Sequence, residues 1–103
     1  MTIELLFFHG CPGHERLLPG LRELAEQRGT ELVLRAVDTP ADAEREQFLG
    51  SPTVRVNGRD VDPDAHERTD FGLKCRLYRS TEGGQSAVPP ESWIRSALDA
   101  AHD

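Results

Sequence analysis

The sequence predicts an α/β domain built on a mixed central sheet of about four strands flanked by helices. Three observations carry this. Short apolar or alternating runs that suit strands are interleaved with stretches of helical spacing, an Asn-Gly dipeptide separates two strand-like runs, and the closing stretch is again helical.

Residues 3–8 form a nearly continuous apolar run bounded by Gly10 and Pro12, as expected of a strand buried on both faces. Leu17, Leu18, Leu21, Leu24 and Ala25 then recur at helical spacing. Pro12 fits the first turn of that helix and Gly29 the position just past its end. Residues 31–37 alternate well enough for a second strand, after which Thr39 caps and Pro40 starts a short helix ending near Gly50. Residues 53–56 and 59–62 read as two short strands joined by Asn57-Gly58, the strongest local signal for a two-residue hairpin turn. A last helix spans residues 90–101, with Trp93, Ile94, Ala97, Leu98 and Ala101 on one face and a proline at its start.

A chain of 103 residues with 37% hydrophobic composition supplies one domain, residues 1–103, with a core that needs no disulfide staple. Twelve basic against eighteen acidic side chains give a net charge of −6, and no lysine or arginine cluster interleaves with aromatics. A nucleic-acid partner is therefore not expected. The apolar run at residues 3–8 follows no positive segment, and no run approaches the ~20 apolar residues that cross a bilayer. The expectation is a cytoplasmic protein with no membrane partner and no cofactor. Two cysteines, Cys11 and Cys75, are too few for a secreted scaffold. In a reducing compartment such a pair is read as catalytic, redox-sensing or metal-binding ahead of structural.

Cys11 stands where the first strand hands over to the first helix. Unpaired amide N–H groups and the helix dipole stabilise a thiolate there, so a thiol of ordinary pKa ~8.5 is lowered. The motif is Cys11-Pro12-Gly13-His14. It resembles the Cys-x-x-Cys or Cys-x-x-Ser motif of thioredoxins and glutaredoxins, with His14 in place of the second cysteine. Pro19 matches the spacing of the proline inside the family's first helix, and Ser51-Pro52-Thr53 resembles its Ser/Thr-Pro element with a cis-proline before the third strand. The resemblance implies a thioredoxin-like fold, Cys11 as nucleophile, a cis bond at Pro52, and a substrate-binding surface made by Pro12, Gly13, Ser51, Pro52 and Thr53. The chain is also similar to small bacterial thioredoxin-like proteins, some labelled alkylmercury-lyase-like, through Gly10-Cys11-Pro12 and residues 48–56, 60–63 and 71–78.

Residues 63–89 are longer than that family's usual passage from the hairpin to the last helix and form an insertion holding Asp70, Phe71, Gly72, Cys75, Arg76, Tyr78 and the turn-like Gly83 and Gly84. Since the second hairpin strand runs back toward the edge bearing Cys11, the insertion starts near it. Two arrangements are open: a loop that brings Cys75 to Cys11, or a strand at residues 75–79 that extends the sheet with Cys75 in its core.

His14, one turn beyond Cys11, is a candidate to stabilise the thiolate or to act as a general base, or else is a solvated first-turn residue. The direction of His9 is undetermined, and His66 and His102 read as surface histidines. Asp60, Asp62, Asp64 and Asp70 read as turn formers on a solvated face, and Arg76 and Arg79 as water-facing. The function expected is thiol–disulfide exchange with a thiol- or disulfide-containing protein or small molecule. In it Cys11 is the nucleophile, Cys75 or an external thiol resolves the mixed disulfide, and Pro52 positions the partner. The alternative is capture of a soft metal ion or an organomercurial by the Cys11 and Cys75 thiolates, with His14 as an optional third ligand.

Overall fold

The strand Thr2–Phe7 (β1) is the axis of a four-stranded sheet. The computed structural model describes residues 1–80 and 84–102. After β1 come the helix Gly13–Arg28 (α1), the strand Glu31–Ala36 (β2), the helix Pro40–Glu46 (α2), and the strands Thr53–Val56 (β3) and Arg59–Asp60 (β4). A two-stranded sheet of Tyr78–Ser80 (β5) and Gly84–Ser86 (β6) precedes the helix Glu91–His102 (α3). The larger sheet runs β2-β1-β3-β4 and is mixed. β1 pairs with β2 in parallel, Ile3 opposite Leu32, and with β3 antiparallel, Leu5 opposite Val54.

The apolar run predicted a strand buried on both faces, and β1 is one. Ile3 and Leu5 join Leu21, Leu24 and Ala25 of α1, Val54 and Val56 of β3, and Ile94 and Leu98 of α3 in the larger core cluster. Leu6 belongs to a second cluster with Val37, Ala43 of α2 and Phe48. Burying a side chain such as Leu5 or Leu98 completely contributes ~1.5–3 kcal/mol relative to leaving it in water. β2 is the exposed edge, where Arg35 pairs with Glu4 at 3.2 Å and Glu46 at 3.5 Å. Charge along an edge discourages further strand pairing.

Local signals set the boundaries. Thr39 caps α2 by accepting a hydrogen bond from the Asp42 N–H at 3.1 Å, and Pro40 occupies the first turn. The helix stops at Glu46, short of Gly50, because Gln47 turns left-handed (φ 55°) and lets Phe48 and Leu49 drop into the interior. Asn57 and Gly58 both have positive φ, 52° and 83°, the geometry that a two-residue hairpin demands. β4 is shorter than expected because the Asp60 carboxylate accepts from the Asp62 N–H and the Asp62 carboxylate from the Asp64 N–H, both at 2.9 Å, curling the chain out of the sheet. The turn-forming reading of those aspartates holds; Gly83 lies outside the described residues. Among the described residues β5 pairs with β6 alone, and Cys75 makes an isolated bridge to Ser51, so residues 75–79 do not add a strand to the main sheet. Among the described residues no helix is long and apolar enough to cross a membrane.

Candidate functional site

β1 ends at Phe7, and the Phe8 carbonyl accepts from the Cys11 N–H at 3.2 Å, which turns the chain so that Pro12 leads into α1. Cys11 is thereby packed at the sheet's edge with only 5% of its surface exposed. Directly across from it lies the corner Gly50-Ser51-Pro52-Thr53, in which Ser51-Pro52 is a cis peptide bond, as expected for Pro52. Cys11 Sγ is 3.7 Å from the Ser51 carbonyl oxygen.

The insertion folds back over this corner and brings Cys75 to Cys11. The two form a disulfide, their Cα atoms 5.7 Å apart and 64 positions apart in sequence. Of the two arrangements left open by the sequence, the returning loop is the one adopted, and Cys75 is exposed rather than part of the core. Main-chain bonds hold the segment to the cis-proline corner. The Ser51 N–H donates to the Lys74 carbonyl at 2.8 Å and the Arg76 N–H to the Ser51 carbonyl at 2.9 Å, an isolated parallel bridge centred on Cys75. Gly50 makes this approach feasible. Its φ is 124°, and a Cβ there would sit 3.0 Å from both the Lys74 carbonyl oxygen and the Arg76 Cβ.

Side chains complete the attachment. Arg76 is buried, 2% exposed, and does not face water as its charge suggested. The reason is two carboxylates that meet it. Nη1 and Nη2 donate to Asp60 at 2.8 and 3.2 Å, Nη2 also reaches Asp62 at 3.3 Å, and Nη1 donates to the Thr53 hydroxyl at 3.0 Å. Asp60 and Asp62 are consequently not part of a solvated face. Burial works against the guanidinium's charge, but the Asp60 hydrogen bonds and the negative charges nearby outweigh it, so the Arg76 pKa is raised. Its guanidinium carbon also stacks 4.5 Å from the centre of the Tyr78 ring. The Tyr78 hydroxyl donates to the Pro52 carbonyl, and burial pushes its pKa up. Further out, exposed Asp70 ties Arg68 at 2.6 Å to Lys74 at 2.7 Å, and these bonds hold its carboxyl below the ordinary carboxylate range.

The remaining candidates are placed less centrally. His14 Nδ1 lies 3.1 Å from the Cys11 carbonyl oxygen and its ring stacks on Phe7 at 4.2 Å, so the ring engages backbone and an aromatic. Pro12 is exposed and Gly13 half-buried at the start of α1. The Thr53 hydroxyl donates to the Gly50 carbonyl at 2.6 Å, and Ser51 and Thr53 are fully buried. Exposed His9 meets Asp38 at 3.0 Å, and the backbone and ring hydrogen bonds of His9 lower the Asp38 pKa. His66, Asp64 and Arg79 are exposed as expected, while the His102 side chain lies outside the described residues. Among the described residues no three or more His, Cys, Asp or Glu side chains converge as a metal site.

The signal that sequence reading missed is a parity. Arg76 and Tyr78 point inward while Cys75 and Leu77 are exposed, Leu77 by 58%. A hydropathy pattern assigns the opposite faces, because it does not know that Asp60 and Asp62 wait beneath Arg76. Compared with protein-family models, with curated proteins and with solved structures, the chain matches none.

Proposed function

We propose that this chain is a thiol–disulfide oxidoreductase on a thioredoxin-like fold, with Cys11 and Cys75 as its reversible pair. The observation that carries this reading is the disulfide itself. It links the cysteine of the strand–helix turn to an exposed cysteine across a cis-proline corner. In the oxidised protein the bond accepts two electrons from two external thiols, or one dithiol, which leave as a disulfide while Cys11 and Cys75 become thiols. In the reverse direction the dithiol reduces a disulfide substrate. Cys75 thus takes the place of the second motif cysteine that His14 has displaced. No electron-carrying cofactor is needed for the exchange, which fits a thiol pool in a reducing cytoplasm.

The test is equilibration of the folded protein in glutathione redox buffers, followed by acid quench and thiol counting. A reversible two-electron transition with the tertiary fold intact in both states supports the proposal. A bond that opens only when the protein unfolds makes it a structural staple and sinks the exchange reading.

One observation favours a second reading. Two sulfurs already held in one place would, when reduced, form a two-thiolate clamp suited to mercury(II), copper(I) or an organomercurial. Cys75→Ser separates the two. A clamp loses most of its affinity for mercury(II) in this variant and in Cys11→Ser alike, whereas an exchange protein still reacts with small disulfides through Cys75 in Cys11→Ser.

A further inference from the structure

We infer that Cys75, not Cys11, is the sulfur that meets the substrate, and that Cys11 is the inner thiol that leaves and resolves. This rests on the exchange reading above and assigns its polarity.

Thiolate attack on a disulfide is in line with the S–S bond, so a sulfur is attacked from the side away from its partner, and access to that side selects the target. Cys11 is 5% exposed and is packed between the end of β1, the start of α1 and Ser51, which is fully buried. Reaching it demands a path through close-packed atoms. Cys75 is exposed, on the outward side of an extended segment whose alternate residues, Arg76 and Tyr78, anchor it inward. The insertion therefore leaves Cys75 exposed and covers Cys11.

Cys11 stands at the N-terminal end of α1, where the helix dipole stabilises a leaving thiolate. When the bond opens, the electron pair goes to Cys11 Sγ. Once protonated, this thiol has an acceptor 3.7 Å away in the Ser51 carbonyl. The main-chain bonds between Ser51 and residues 74 and 76, together with the Arg76 ion pairs, do not depend on the disulfide. They keep Cys75 beside Cys11 after the bond breaks. An external thiolate bonds to Cys75 Sγ, the Sγ–Sγ bond breaks, and Cys11 leaves as thiolate. A second external thiolate then attacks the external sulfur of the mixed disulfide, releasing Cys75 and an external disulfide. In reverse, Cys75 attacks a substrate disulfide and Cys11 resolves the mixed disulfide.

The experiment uses the oxidised wild-type chain with limiting glutathione as probe, rapid acid quench to stop exchange, N-ethylmaleimide alkylation of the acid-denatured chain, and peptide mapping by mass spectrometry. The expected product carries glutathione on Cys75 and maleimide on Cys11, in at least about tenfold excess over the opposite pattern. Glutathione on Cys11, or an even split, overturns the assignment while leaving thiol exchange in place. No mixed disulfide and no reduction of the folded protein overturns the exchange reading and this assignment with it. In the reduced single-cysteine variants, Cys11→Ser, which retains Cys75, reacts with a chromogenic aryl disulfide about tenfold faster than Cys75→Ser, which retains Cys11. Equal rates count against the assignment.

Discussion

Asp60→Asn tests whether the buried Arg76 is what docks the insertion. The Arg76 side chain is 1% exposed, and Asp60, 14% exposed, takes a two-pronged bond from it at 2.8 and 3.2 Å. The amide keeps the shape of the carboxylate but turns one of the two accepting oxygens into an NH2 group that faces the guanidinium donors. Removing one partner of a buried ion pair costs about 3–5 kcal/mol. Here Asp62 and the Thr53 hydroxyl still meet the guanidinium, and the repulsion between two neighbouring carboxylates is relieved, so about 2–3 kcal/mol is expected. Asp62→Asn removes a single bond at 3.3 Å and should cost about 1 kcal/mol. Urea denaturation under reducing conditions reads both variants. Trp93 serves as the fluorophore, being the one tryptophan and lying 6.2 Å from the Tyr78 ring. In glutathione buffers Asp60→Asn should also move the equilibrium toward the dithiol, since a loosely docked segment holds Cys75 less firmly beside Cys11. The reasoning is refuted if Asp60→Asn costs no more than Asp62→Asn, or leaves the thiol equilibrium unmoved.

Reduction removes a cross-link closing 64 positions of chain, which by loop-closure entropy costs about 4 kcal/mol, or a fall in Tm of roughly 20 °C for a domain of this length. Calorimetry with and without reductant reads it, and a change of only a few degrees would mean that the reduced, unfolded chain is already constrained. Gly50→Ala places a Cβ against the Lys74 carbonyl and Arg76 Cβ at positive φ, so it should destabilise the protein by about 1–3 kcal/mol and slow reoxidation, read by denaturation and thiol counting. Wild-type kinetics for the variant would show that the bridge at Ser51 is dispensable. Asp70 has its folded pKa lowered by Arg68 and Lys74, so its contribution is full above its ordinary value of 3.8 and is lost as pH falls from there through the folded value. Because its side chain is 52% exposed, Asp70→Asn should lower stability by only about 0.5 kcal/mol at neutral pH, less in high salt, and the gap from wild type should close in strong acid. Urea midpoints across pH decide it, and a gap that widens on acidification contradicts the sign.

Local chemistry made much of the frame legible in the sequence. The apolar run of β1, the Thr39-Pro40 start of α2, the Asn57-Gly58 turn and the Leu and Ala spacing of α1 each act over a few residues, and each is found where its pattern placed it. The cis bond at Pro52 was suggested by resemblance rather than by any local rule. The insertion resisted the same reading because its order comes from partners far away in the chain. Only once β4 has delivered Asp60 and Asp62 does burying Arg76 become favourable, with the consequence that Leu77 is left in water and Cys75 beside it. Propensity and hydropathy act between near neighbours, whereas an ion pair or a disulfide depends on where two distant segments meet. The sequence by itself determined the mixed α/β frame and the place of Cys11 at its edge. Only the tertiary structure decided that Cys75 reaches it, because a buried guanidinium needs carboxylates that the rest of the fold must first bring together.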